Sequence, residues 1–183
     1  MFDLLRVSGG PTKPEIIAIA VSKLGLRDGD MFFDVGCGTG AVSIEASSLV
    51  KNLHITAIDA RKEAIEVAEK NFEAFKIPNV NLVFGESSEV IAQAEKVDCA
   101  FVGGSKNILE VLDALAAKNA RSIVVDAVRI ETVVRVIQRM KELGIFREVL
   151  HVIVSHGVDL VGETMFKPVN PVYIIVGGTD KTN

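Results

Sequence analysis

An open α/β fold, with a seven-stranded, mostly parallel sheet, helices on both faces and an antiparallel terminal hairpin, follows from three features of this 183-residue chain. Apolar runs alternate with helix-length segments from residue 31 to residue 143, the β-then-α rhythm of parallel strands joined by right-handed crossovers. Hydrophobic residues make up 49% of the chain, which suits strands buried on both faces and written as continuous apolar runs. Finally, the rhythm stops after residue 143, and two further apolar runs follow with no helical periodicity between them.

The elements follow in order. "PTKPEIIAIAVSKLGL" predicts a helix, with Thr12 as its cap, Glu15 three residues on, and a stripe of Ile16, Ile17, Ala20 and Leu24. Residues 1–29 form this lid or packing segment and 30–178 the core of a single domain spanning 1–183. The strands are MFFDV, LHITAID, VNLVF, VDCAFVG and RSIVVDAV, and helices are expected around 41–50, 61–76, 87–95, 106–119 and 130–143. REVLHVIVSH and PVYIIVGG should then pair antiparallel at one end of the sheet, with "GVDLVGETMFKPVN" as the connection.

Composition narrows the function classes. A net charge of -4 opposes general electrostatic affinity for nucleic acid. Cys37 and Cys99 have no second thiol nearby, which points to a reducing cytoplasm rather than a disulfide framework or metal site. His54, His151 and His156 lack metal-ligand spacing and read as ordinary strand residues. No apolar stretch is long enough to span a membrane.

Ligands of open parallel sheets bind beyond the carboxyl ends of the strands, where strand order reverses. The groups expected at that edge are Asp34 with Gly36, Gly38 and Gly40, then Asp59, then Gly85-Glu86-Ser87, then Gly103-Gly104. In "MFFDVGCGTG" the alternating glycines supply positive φ and let backbone N–H groups approach a small ligand; Cys37 contributes backbone only. Gly36 to Ala41 also satisfies G-x-G-x-x-A, the dinucleotide fingerprint, with Asp59 near the ribose-binding distance. Against NAD, Asp34 would set a carboxylate near a pyrophosphate, whereas a cofactor with a cationic amino-acid end would welcome it. No length remains for a separate substrate domain, and Glu86 supplies another acid one strand on. Asp59 also reads as a helix N-cap and Glu86 as a helix-start acid, roles that can coexist with ligand binding.

The pattern D-x-G-x-G-x-G, an acid after each of strands two and three, and a terminal hairpin resembles the Rossmann-like class I S-adenosylmethionine-dependent methyltransferases over residues 30–178. "GGPTKPEI", "FVGGSKNILE" and "GETMFKPVNPVYII" extend the resemblance over nearly the whole chain to one family. It is similar to the decarboxylating carbon-15 methyltransferases that act on precorrin-6B or its cobalt form in cobalamin biosynthesis. The resemblance implies methylation of a meso carbon of the macrocycle, loss of carbon dioxide from the ring C acetate, S-adenosylmethionine as cofactor, and a homotetramer.

By that resemblance Thr12 contacts the cofactor, Gly36, Cys37, Gly38, Thr39 and Gly40 cradle its methionine part, Asp59 binds the ribose and Ser87 lies beside the adenine. Asp34, Glu86 and Gly103 complete the cofactor set, with Gly85-Glu86-Ser87 standing where relatives often carry glycine-aspartate-alanine. The polycarboxylate tetrapyrrole requires cations at the mouth of an acidic protein. Lys13, Lys106 and Arg129, with Gly104, form the substrate set, and Arg6 and Lys167 fall in the same edge or flanking loops. Two other classes share the cofactor half: an RNA or protein methyltransferase, for which an N-P-P-Y-type tetrad is missing at "FVGGSK", and a non-catalytic nucleotide-binding module.

Overall fold

The computed structural model describes residues 4–7, 10–104 and 106–180. Its main sheet is built from β1 (Met31–Val35), β2 (His54–Asp59), β3 (Val80–Phe84), β4 (Cys99–Val102), β5 (Ser122–Ala127), β6 (Phe146–Val152) and a last strand, β9 (Val172–Gly177). The spatial order is β3-β2-β1-β4-β5-β9-β6. Strand order therefore reverses between β1 and β4, which pair in parallel with Asp34 opposite Phe101. There the two outgoing chains diverge and leave a crevice.

Helices α1 (Pro14–Leu24), α2 (Ala41–Leu49) and α3 (Lys62–Phe75) cover one face. Helices α4 (Ser87–Gln93), α5 (Ile108–Ala117) and α6 (Ile130–Glu142) cover the other. The period-2 alternation of the strands divides them cleanly: Phe32, Phe101, Val124 and Ile174 pack toward the first layer, and Phe33, Val102, Val125 and Ile175 toward the second. The predicted stripe of α1 is buried along Ile16, Ile17, Ala20 and Leu24, with Val21 added. Its cap differs from expectation. Lys13 takes the N-cap position without a side-chain bond, because Pro14 at the first helical position starts the helix with its fixed φ, and this leaves Thr12 outside the helix.

The far end of α1 is tied to the start of β5. Arg121 Nη1 donates to Gly25 O at 3.0 Å, Ser122 Oγ donates to Lys23 O at 3.3 Å, and the Arg121 guanidinium pairs with the buried carboxylate of Asp30. These bonds make α1 run antiparallel to β5.

β6 and β9 pair antiparallel, as the sequence predicts. However, β9 inserts between β5 and β6 and is antiparallel to both, so β6 takes the edge. The connection is also not a plain loop. It forms a separate two-stranded ribbon, β7 (Ser155–Leu160) and β8 (Glu163–Pro168), turning at Val161 and Gly162 with φ of 55° and 83°. Two positive φ values in succession make the primed turn that matches strand twist. Nothing in "DLVGE" resembles the usual Asn-Gly signal, and a ribbon exposed on both faces carries no apolar alternation to betray it.

Candidate functional site

A cleft of about 440 Å³ opens at the reversal point beyond β1 and β4. Most of the predicted strand-end groups line it: Thr12, Asp34, Gly36, Cys37, Gly38, Thr39, Asp59, Glu86, Ser87, Gly103, Gly104 and Lys106.

The three loop glycines have positive φ for three separate reasons. At Gly36 (φ +73°) a Cβ would stand 2.7 Å from Gly104 N, so the β1 and β4 loops touch backbone to backbone. At Gly40 (φ +77°) it would meet Phe72 Cε1 at 2.5 Å. Gly40 is absent from the cleft lining, between Thr39 and Ala41 which belong to it; it starts α2 and seats α3 against it. At Gly38 (φ +56°) nothing lies closer than Arg61 Nη2 at 3.9 Å. Only there is the bare backbone turned to open space.

Asp34, the penultimate residue of β1, is 1% exposed. Its Oδ2 accepts from Ser43 Oγ at 2.6 Å and from Ser43 N at 3.2 Å, while among the described residues Oδ1 has no partner. Burial pushes its pKa up to about 6, against the hydrogen bonds from Ser43. Thr39 Oγ1 is a second buried oxygen without a partner. An orphaned carboxylate oxygen and an orphaned hydroxyl on one wall suit a ligand with several N–H donors and a positive charge.

Asp59, at the end of β2, is saturated instead. Oδ1 accepts from Arg61 N at 2.9 Å and Arg61 Nε at 3.0 Å; Oδ2 accepts from Gly38 N at 3.0 Å and Arg61 Nη2 at 2.9 Å. Burial raises the carboxyl's pKa, but the bonds from Arg61 and Gly38 outweigh it and hold the group below its usual range. Arg61, not Asp59, occupies the N-cap position of the helix that follows, without a side-chain cap bond. Cys37 is buried and its thiol is pushed far up by that burial, so it offers backbone rather than a nucleophile.

Glu86 takes the N-cap position of α4 without a side-chain cap bond, and both Glu86 and Ser87 face the cleft. Of the proposed cations, Lys106 lines the cleft. Lys13 and Arg129 do not: they occupy the N-cap positions of α1 and α6, just outside it. Arg6 is exposed near the chain start and Lys167 lies on β8, neither of them on the lining. Gly9, of the paired glycines, lies outside the described residues. Sequence reasoning missed Pro11, Phe101 and above all Arg61, whose only signal was its place two residues after the β2 acid. Among the described residues no group of His, Cys, Asp or Glu is arranged to hold a metal ion.

A sheet ordered in this way, with its last strand inserted antiparallel, a glycine loop at the reversal point and acids at the carboxyl ends of β1 and β2, defines a Rossmann-like class I methyltransferase fold. The family model described as precorrin methyltransferase domain matches residues 3–177, and the chain belongs to that family. It is 60% identical over 97% of its length to a Methanosarcina acetivorans protein, of which 98% is covered, named probable cobalt-precorrin-6B C(15)-methyltransferase (decarboxylating). Among solved structures, precorrin-6y C5,15-methyltransferase from Geobacter metallireducens superposes with a TM-score of 0.90 at 31% identity, covering 97% of this chain and 95% of that one. The precorrin 8W decarboxylase from Methanobacterium thermoautotrophicum gives 0.88 at 29%, covering 96% and 97%.

Proposed function

We propose that this protein transfers the methyl group of S-adenosylmethionine to carbon 15 of cobalt-precorrin-6B and removes the ring C acetate carboxyl as carbon dioxide, in cobalamin biosynthesis. The observation that carries the reading is the end-to-end likeness to the relatives above, in a chain whose cleft has a cation-seeking wall.

S-adenosylmethionine supplies a sulfonium-activated methyl group. The chain's own residues bind and orient. Asp34 Oδ1 and Thr39 Oγ1 take the amino-acid ammonium, and the bare backbone at Gly38 admits the methionine part. Asp59 takes the ribose hydroxyls once Arg61 turns aside, since all its acceptor positions are otherwise filled. Glu86 and Ser87 flank the base, and Gly103 closes the floor. The tetrapyrrole lies beyond Gly104, its carboxylates met by Lys106 and, from the rim, Lys13 and Arg129. Holding acceptor carbon and methyl group in line supplies much of the acceleration for such a transfer. No activated nucleophile is needed.

Calorimetry with S-adenosylhomocysteine and with NAD, followed by transfer of labelled methyl to the tetrapyrrole, tests the reading. Binding of NAD alone contradicts it.

The working form is a cytoplasmic homotetramer. Two buried free thiols favour a reducing compartment. The ribbon exposes Val161 at 95% and Phe166 at 69%, with Leu160 and Met165 beside them, an apolar surface suited to other copies of the chain. Light scattering should report four subunits at micromolar concentration and fewer for Phe166→Glu; a wild-type monomer contradicts this.

A further inference from the structure

Loss of carbon dioxide from a ring acetate leaves the bonding electron pair on the exocyclic carbon, which becomes a methyl group only by taking up a proton. Methylation of a meso carbon that carries hydrogen releases one. The two half-reactions together neither consume nor produce a proton, so one side chain can give and then recover it. Such a group must sit at the carboxyl ends of the strands, outside the cofactor's own contacts, and be free of other bonds. Asp34 is bonded to Ser43 and aimed at the cofactor's ammonium, and Asp59 is held by Arg61 and Gly38.

Asp126 meets each condition. It lies near the end of β5, one position past the last residues that β4 and β5 pair, Val102 and Val125, and so stands beside Gly103 of the cleft. Its side of the sheet is that of Asp34, Phe101 and Val124, which the register aligns across β1, β4 and β5. Helix α1 passes over that side antiparallel to β5, tied at Ser122 and Lys23. Asp126 is about 13 Å along β5 from Ser122. Glu15 is about 12 Å along α1 from Lys23. The carboxyl is therefore level with the first turn of α1 and one strand out from Gly103, behind the residues that line the cleft rather than among them.

Among the described residues its side chain makes no hydrogen bond or ion pair, and burial alone raises its pKa to about 6. The charged groups on the flanking elements are Lys13 and Glu15 at the start of α1, His156 of β7, whose Nε2 is 3.4 Å from Glu15 Oε1, and Arg129 beyond β5; none of them contributes to the shift of Asp126, and among the described residues β4 and β9 bring none level with it. A half-buried carboxyl with no structural employment, one strand out from Gly103 of the cleft, has the features of a proton donor.

Resting on the function proposed above, we propose that Asp126 is the general acid of the decarboxylation. Its carboxyl gives a proton to the exocyclic carbon as carbon dioxide leaves, and the resulting carboxylate accepts the proton released from the meso carbon on methylation. A polyanionic macrocycle docked beside it favours the neutral, donating form.

Asp126→Asn keeps the shape and removes the transferable proton, and Asp126→Glu keeps the proton. In wild type, kcat for carbon dioxide release should be full in acid and fall tenfold per pH unit above an apparent pKa at or above about 6. Asp126→Asn should bind S-adenosylhomocysteine within twofold of wild type, lose carbon dioxide release by about 10²- to 10⁴-fold and show no such limb. Asp126→Glu should recover part of the rate, with the limb's midpoint displaced. Asp126→Asn turning over within threefold of wild type, or Asp126→Glu leaving the midpoint unmoved, overturns the assignment. Wild type that converts no tetrapyrrole at any pH overturns the functional reading instead, a distinct result.

Discussion

Cofactor affinity should depend on pH through Asp34, and the amino-acid end of the cofactor should carry the whole effect. In the free protein this carboxyl is buried, with Oδ1 unpartnered, and its pKa is raised from 3.8 to about 6. An ammonium at Oδ1 favours the ionised form, so binding draws the pKa back down. The sign follows: affinity is full above about pH 6 and is lost as pH falls and Asp34 must give up a proton to bind. With a free-state pKa of about 6 the ionised fraction, and the affinity with it, drops about tenfold between pH 7 and pH 5. Calorimetry of S-adenosylhomocysteine across that range should show the loss. 5′-Methylthioadenosine, which lacks the amino-acid end, should bind with little change, and Asp34→Asn should weaken S-adenosylhomocysteine at pH 7 and flatten its pH response. The same shift destabilises the ligand-free fold as pH rises from about 4 to about 6, by up to about 3 kcal/mol, because the folded state then binds the proton that the unfolded state releases. Equal pH dependence for both ligands, or an Asp34→Asn variant with wild-type affinity at pH 7, would refute the placement of the ammonium.

Gly38→Val should abolish S-adenosylhomocysteine binding and lower the melting temperature only by the strain of a valine held at φ +56°, since its side chain enters open cleft, whereas Gly36→Ala should unfold at a clearly lower temperature because its Cβ, also at positive φ, meets Gly104 backbone as well. Equal melting losses for the two would count against separate roles. Asp59→Ala should cost on the order of 1.5 to 3 kcal/mol of affinity for S-adenosylhomocysteine and for 5′-methylthioadenosine alike, as both carry the ribose. Unchanged calorimetric affinity would leave Asp59 as an anchor for Arg61 only.

Much of this site was legible because its parts obey local rules. Asp34, Asp59, Glu86 and Gly103 each close a strand or follow one, so the alternating pattern placed them at one edge before any contact was known. What it could not give were differences made by packing. The three glycines look equivalent in the string, yet Phe72 from α3 and Gly104 from the β4 loop, both distant in sequence, set two of them apart. The closure of Asp59 by Arg61 depends on a rotamer, and the departure at Thr12 on Pro14, whose preference for the first helical position outweighs a threonine cap. Asp126 was hidden inside RSIVVDAV, a run read for its apolar residues, where only the register with β4 shows an acid facing the site side. The ribbon of β7 and β8 escaped because it packs no face on the core.

That one cleft performs both carbon methylation and decarboxylation is a statement about the mass of its product. Mass spectrometry of cobalt-precorrin-6B incubated with the protein and S-adenosylmethionine, with carbon dioxide collected in the same vessel, tests it most directly. One methyl group gained and one carbon dioxide released per macrocycle are expected, both abolished by Gly38→Val. A macrocycle of unchanged mass, while an RNA or protein acceptor in a parallel vessel takes the methyl group, would contradict it.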